Sequence, residues 1–99
     1  MKLNTIDHIA IAVKNIHKST QWYLEYFDCQ VLYEDETWAL LEFSNLKLAL
    51  VSQQQHPPHF AINSNCPEIY GKPTTHRDGS ESIYIVDPDG NSIEMIKYP

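Results

Sequence analysis

Residues 6–13 read Ile6-Asp7-His8-Ile9-Ala10-Ile11-Ala12-Val13. In an extended strand Ile9, Ile11 and Val13 share one face, and Ile6, His8, Ala10 and Ala12 share the other. The strand is apolar on both faces, with one histidine set among small residues. The pattern returns 51 positions later, where Pro58-His59-Phe60-Ala61-Ile62 repeats Asp7-His8-Ile9-Ala10-Ile11 with the histidine in the same place. An internal repeat of this kind predicts two related modules.

The residues after each copy fill in the modules. Asn15 is a helix cap, and Ile16, Trp22, Tyr23, Tyr26 and Phe27 make an apolar stripe over residues 16–27. Strand signals follow at 29–33, 37–43 and 46–51, the last two joined by a tight Ser44-Asn45 turn. Module one, residues 5–52, therefore reads β-α-β-β-β. The connector Gln53-Gln54-Gln55-His56-Pro57-Pro58 is polar and broken by proline. Module two, residues 58–98, opens on a His59–Asn63 strand. Residues 64–80 leave room for at most one helical turn near Pro67–Tyr70, with one small strand lost or hidden there. Ser82–Val86 and Ser92–Tyr98 then form a hairpin across Asp87-Pro88-Asp89-Gly90-Asn91. The expected fold is α+β: one domain over 1–99 of paired βαβββ modules forming a curved mixed sheet around a cavity. The second module is shortened and lacks a full helix.

Composition narrows the function classes. At 99 residues, 42% apolar and 20% charged, the chain is a globular domain and not a disordered one. Its formal charge of −6 and single arginine, Arg77, exclude nucleic acid and anionic membrane surfaces as expected partners. No apolar run reaches the ~18 residues of a membrane span, and the start has no apolar leader core. Cys29 and Cys66 make no disulfide framework, so both thiols are expected free in the cytoplasm. A chain this short, with one sheet face lacking its helix, leaves apolar surface that predicts a homodimer.

The chemistry concentrates on His8, His59 and Glu94. A single histidine in a strand is commonly just packed, and a single Glu can simply face solvent. The matched histidines and a carboxylate inside the apolar Ile93-Glu94-Met95-Ile96 strand are harder to place that way, because burying such groups unpaired is costly. If the modules pair about a pseudo-twofold axis, the three converge. Two imidazoles and one carboxylate suit Fe(II), Mn(II) or Zn(II) and leave positions open for a substrate. Trp38 and Tyr84 are candidate cavity-lining residues.

Asp7–Val13 with its Trp-Tyr helix, the His59 strand, and the ending Ser82–Ile96 with Asp-Pro-Asp-Gly-Asn and Ile-Glu resemble the vicinal oxygen chelate superfamily. That superfamily includes glyoxalase I, methylmalonyl-CoA epimerase, extradiol dioxygenases, fosfomycin-resistance transferases and bleomycin-binding proteins. The resemblance implies a divalent metal on His8, His59 and Glu94, and pairing of chains. It also places His76 and Arg77 at the cavity border, where they would contact an anionic small-molecule substrate. Glyoxalase-like members carry a fourth ligand, usually Glu or Gln, on the last strand of the first module. Here that strand is Leu46-Lys47-Leu48-Ala49-Leu50, and Ala49, or Leu48 in a shifted register, stands in its place. Glu42 would compensate only with the hairpin shifted. The implied function is a metal-dependent lyase, dioxygenase or transferase acting on a small oxygen-bearing substrate. The alternative is a metal-free binding protein of the bleomycin-resistance kind.

Overall fold

The computed structural model describes residues Met1–Pro99. In chain order the elements are β1 (Ile6–Val13), α1 (Ile16–Tyr26), β2 (Gln30–Glu34), β3 (Trp38–Glu42), β4 (Lys47–Ser52) and β5 (His59–Asn63). A 3₁₀ turn (Pro67–Tyr70), β6 (Thr74–Thr75), β7 (Glu81–Val86) and β8 (Ser92–Lys97) complete the chain. The strands of the first half are ordered β2-β3-β4-β1 and those of the second half β5-β8-β7-β6, each set a mixed sheet. β1 runs parallel to β4, and β5 parallel to β8; the pairs β2/β3, β3/β4, β6/β7 and β7/β8 are antiparallel. No helix is long and apolar enough to cross a membrane.

The contacts divide the chain into two compact units, His8–Pro58 and Met1–Asp7 with His59–Pro99. One boundary falls inside β1, between Asp7 and His8, and the other at the end of the proline connector, between Pro58 and His59. The chain start goes with the later residues because the Asn63 N–H donates to the Thr5 carbonyl at 3.0 Å and the Asn63 amide donates to the Thr5 hydroxyl at 3.0 Å.

In the His8–Pro58 unit, the Asn15 side chain accepts from the Lys18 N–H at 2.9 Å and starts α1. The helix stops at Tyr26, one residue earlier than the apolar stripe suggests. Phe27 is already extended, and its N–H returns to the Tyr23 carbonyl at 3.0 Å. Ile16 packs with Ala39, Leu41 and Leu50, flanked by Ile11, Val13, Tyr23, Phe43 and Leu48. This is the helix-covered face. The opposite face carries Ala10, Ala49 and Val51 with Trp38 and Leu40 against them. Period-two alternation separates the two sets, as it must in a strand.

In the other unit a 3₁₀ turn of four residues stands where the first module has an 11-residue helix. The small strand anticipated within 64–80 is β6, which pairs Thr74 with Ser82 and Thr75 with Glu81. The β7–β8 turn is organised by Asp87, whose carboxylate accepts from the backbone N–H of Asp89 at 2.9 Å and of Asn91 at 2.8 Å, and from the Asn91 amide at 2.8 Å. Gly90 adopts φ 85°, a conformation that side chains with a Cβ rarely take.

Candidate metal centre

β5 and β8 place one imidazole and one carboxylate together. The register sets His59 opposite Ser92 and Ala61 opposite Glu94. Since alternate residues share a face, His59 and Glu94 project from the same side as diagonal neighbours. His59 Nε2 lies 3.3 Å from Glu94 Oε1, with only 4% and 9% of the two side chains exposed. Across β8, Tyr84 stands opposite Glu94. Its ring meets the His59 ring edge-on, with centroids 5.1 Å apart and planes at 85°. Burial first, and the Glu94 charge second, push the Tyr84 phenol well above its ordinary pKa. It therefore stays neutral and keeps a proton to donate.

Two residues along β7, on the same face, Ser82 is buried and hydrogen-bonded to His76, with Oγ to Nε2 at 2.6 Å. A tight turn holds His76. Its N–H donates to the Ser80 carbonyl at 2.8 Å, and the Gly79 N–H donates back to the His76 carbonyl at 3.0 Å. Asp78 accepts from the Ser80 N–H at 2.9 Å and from its hydroxyl at 2.6 Å. Those hydrogen bonds, and then the His76 charge, hold the Asp78 carboxyl below its ordinary range. Arg77 is exposed on the same turn.

His8 is buried, at 8% exposure, as the third residue of β1. It lies on the face of Ala10 and Ala49, away from α1. Trp38 is on that face as well, stacked on Tyr33 with centroids 4.6 Å apart. The parallel register places Lys47 opposite His8, and Ala49 opposite Ala10. Lys47 is thus the direct neighbour of the histidine in the strand pair. Glu42 sits beyond it, opposite Lys47, and its carboxylate accepts from the Gln30 amide. Sequence reading passed over Lys47, although the alternation in Leu46–Leu50 puts it on the Ala49 face. Ser82 was also missed, because a buried serine has no periodic signature.

The pattern that defines the Glyoxalase/Bleomycin resistance protein/Dioxygenase superfamily matches residues 5–68, well over half of the chain. The protein belongs to this superfamily. It is 28% identical to the Metallothiol transferase FosB of Staphylococcus haemolyticus (strain JCSC1435) over 113 aligned positions, covering 91% of this chain and 81% of that protein. The FosB of Staphylococcus epidermidis matches over the same shares, also at 28% identity. Among solved structures, methylmalonyl-CoA epimerase from Mycobacterium tuberculosis superposes with a TM-score of 0.76 at 17% identity, covering 100% of this chain and 93% of the epimerase. The hypothetical protein BH1468 from Bacillus halodurans C-125 gives 0.76 at 19% identity, over 99% and 96% of the two chains. At such identities the structural likeness concerns the fold alone.

Proposed function

We propose that the protein is a metal-dependent enzyme that acts on a small oxygen-bearing substrate, with one divalent cation held by His8, His59 and Glu94. The observation that carries this reading is the buried His59–Glu94 pair, with Nε2 3.3 Å from Oε1, to which the repeat of the His59 strand around His8 adds the second imidazole. The chemistry of the set fits. All three residues are buried, and a buried carboxylate with two imidazoles is matched better by a divalent cation than by apolar packing. Three protein donors leave coordination positions for a substrate. The likeness to metallothiol transferases over most of the chain supports the same reading.

When bound, the cation supplies Lewis-acid stabilisation of negative charge on substrate oxygen. The chain's own groups do the rest. The Tyr84 edge fixes the plane of the His59 ring, and its phenol offers a proton donor on the ligand face. The His76–Ser82 pair presents a further polar contact on that face. Trp38 gives the His8 face of its own unit an aromatic residue, and Arg77 attracts anions from solvent.

The test is elemental analysis of protein purified without chelator, followed by titration with Mn(II), Fe(II) and Zn(II). About one ion per chain is expected, lost in His59→Ala. A wild-type chain that takes up none of the three ions, or a His59→Ala variant with unchanged metal content, refutes the reading. Consumption of a free thiol by the metal-loaded protein is the first activity to assay.

A homodimer and a cytoplasmic location belong to the same proposal. Exposed Trp22, Tyr26, Phe27 and Leu32 support the first, and free Cys29 and Cys66 support the second. A stable monomer in light scattering would remove the dimer.

A further inference from the structure

Asp7 and Tyr98 close a bond between the two ends of the chain. The Tyr98 hydroxyl donates to Asp7 Oδ2 at 2.7 Å. Asp7 lies in β1 directly before His8, and Tyr98 lies just past the end of β8, the strand of Glu94. The bond therefore joins the strand that carries the first imidazole to the strand that carries the carboxylate. Burial first, then the bond to Asp7, then the charges of Asp7, Glu94 and Asp78 push the Tyr98 phenol well above its ordinary pKa. It stays protonated and keeps donating. The start of β1 is held nearby as well, where the Thr5 carbonyl and hydroxyl accept from Asn63 of β5 at 3.0 Å each.

We propose that Tyr98 is a positioning residue for the metal centre: through Asp7 it fixes the direction in which His8 projects. The inference rests on the metal reading above and adds a residue that acts on the centre without touching the ion. Alternation turns the Asp7 side chain to the face opposite His8, so the bond works through the backbone. A strand turns about its axis as a ribbon, and a held Asp7 sets the angle at which the next side chain leaves it. The β1/β4 ladder begins at His8, so Asp7 enters the strand ahead of that ladder and takes its direction from bonds such as this one. Donors held in place before the cation arrives lose little freedom on binding it, which tightens the site.

The test is calorimetric titration of the full chain with Mn(II), together with the visible absorption of the Co(II)-loaded protein. Tyr98→Phe keeps the ring and removes the hydroxyl. It is expected to bind Mn(II) about tenfold more weakly than wild type, the lower end of the effect of an outer-shell partner. Its Co(II) bands are expected to shift, because a re-aimed imidazole alters the ligand field. In an Asp7→Ala background the same substitution should change Mn(II) affinity by less than about twofold, as expected of two groups that act through one bond. Asn15→Ala removes the α1 cap and should bind Mn(II) as wild type does, which separates positioning from a general loss of stability. If Tyr98→Phe shows no cooperative thermal transition, Asp7→Ala is compared with Asp7→Asn, which keeps an acceptor oxygen for the phenol and should bind Mn(II) more tightly than Asp7→Ala. Mn(II) affinity in Tyr98→Phe within about twofold of wild type, a full loss that persists in the Asp7→Ala background, or an equal loss in Asn15→Ala overturns the inference and leaves the metal centre standing. A wild-type chain that binds no Mn(II) overturns the metal reading itself.

Discussion

Replacing Glu94 with glutamine isolates the charge of the candidate centre from its packing. The two side chains have nearly the same volume, and Glu94 is buried 3.3 Å from His59 and opposite Tyr84, so the amide occupies the same space. What changes is the capacity to balance a cation. At a metal concentration one hundred times the dissociation constant, binding stabilises the wild-type fold by about 2.7 kcal/mol. For a domain of this length each kcal/mol moves the transition by about 4–8 °C, so saturating metal raises Tm by about 10–20 °C. Loss of an outer-shell partner alone weakens metal binding by about 10–100-fold, and loss of the only carboxylate ligand reaches at least the upper end. At the same metal concentration the variant is then only half loaded, and its stabilisation falls to about 0.4 kcal/mol, or about 2–3 °C. Differential scanning calorimetry with and without metal reads both shifts. Equal shifts in wild type and Glu94→Gln would refute the placing of Glu94 in the centre.

The scaffold makes its own predictions. Leu50 is fully buried against Ile16, Ala39 and Leu41, so Leu50→Ala should cost about 2–5 kcal/mol in denaturant unfolding; a loss below about 1 kcal/mol would contradict that packing. Asn15→Ala removes the α1 cap and should cost about 1 kcal/mol, whereas Asn15→Asp, which still presents a carbonyl oxygen to the Lys18 N–H, should cost much less. Hydrogen bonds from Tyr33 and Thr37 hold the Asp35 carboxyl below its ordinary value, and those from Asn91 do the same for Asp87, as those from Ser80 do for Asp78. A group depressed in the folded state binds more protons when unfolded. Its contribution is complete above the ordinary 3.8 and declines as pH falls through the folded value. Stability should therefore drop on acidification below about pH 4, and Asp87→Asn should flatten that limb of the pH curve; an identical acid profile would remove Asp87 from the account.

Much of the architecture was legible because strands advertise themselves by alternation. β1 and β5 have the bounds that their apolar-polar patterns indicate, and the repeat around His8 and His59 announces two modules. The short turn near Pro67–Tyr70 and the small extra strand were expected from the lack of room for a helix. The end of α1 was less legible. Phe27 continues the apolar stripe, yet its backbone has already left the helix to enter the path to β2. One of the two unit boundaries, at Pro58/His59, sits at the proline connector; the other lies inside β1, where a backbone bond ties Thr5 to Asn63, and no local composition records such a bond.

The amino-acid order alone determined the candidate donors, since only residue type decides whether a side chain can ligate, and the repeat marks two histidines as equivalent. It also determined which face each donor occupies, because a period of two leaves no freedom. Neighbours across strands were decided by register, which belongs to the folded chain. That register put Lys47 opposite His8, joined Tyr84 to the His59–Glu94 pair, and bonded His76 to Ser82. One residue of slip would exchange every such partner, and the energy that prevents it comes from packing at positions such as Leu41 and Leu50, far in sequence from the groups they align.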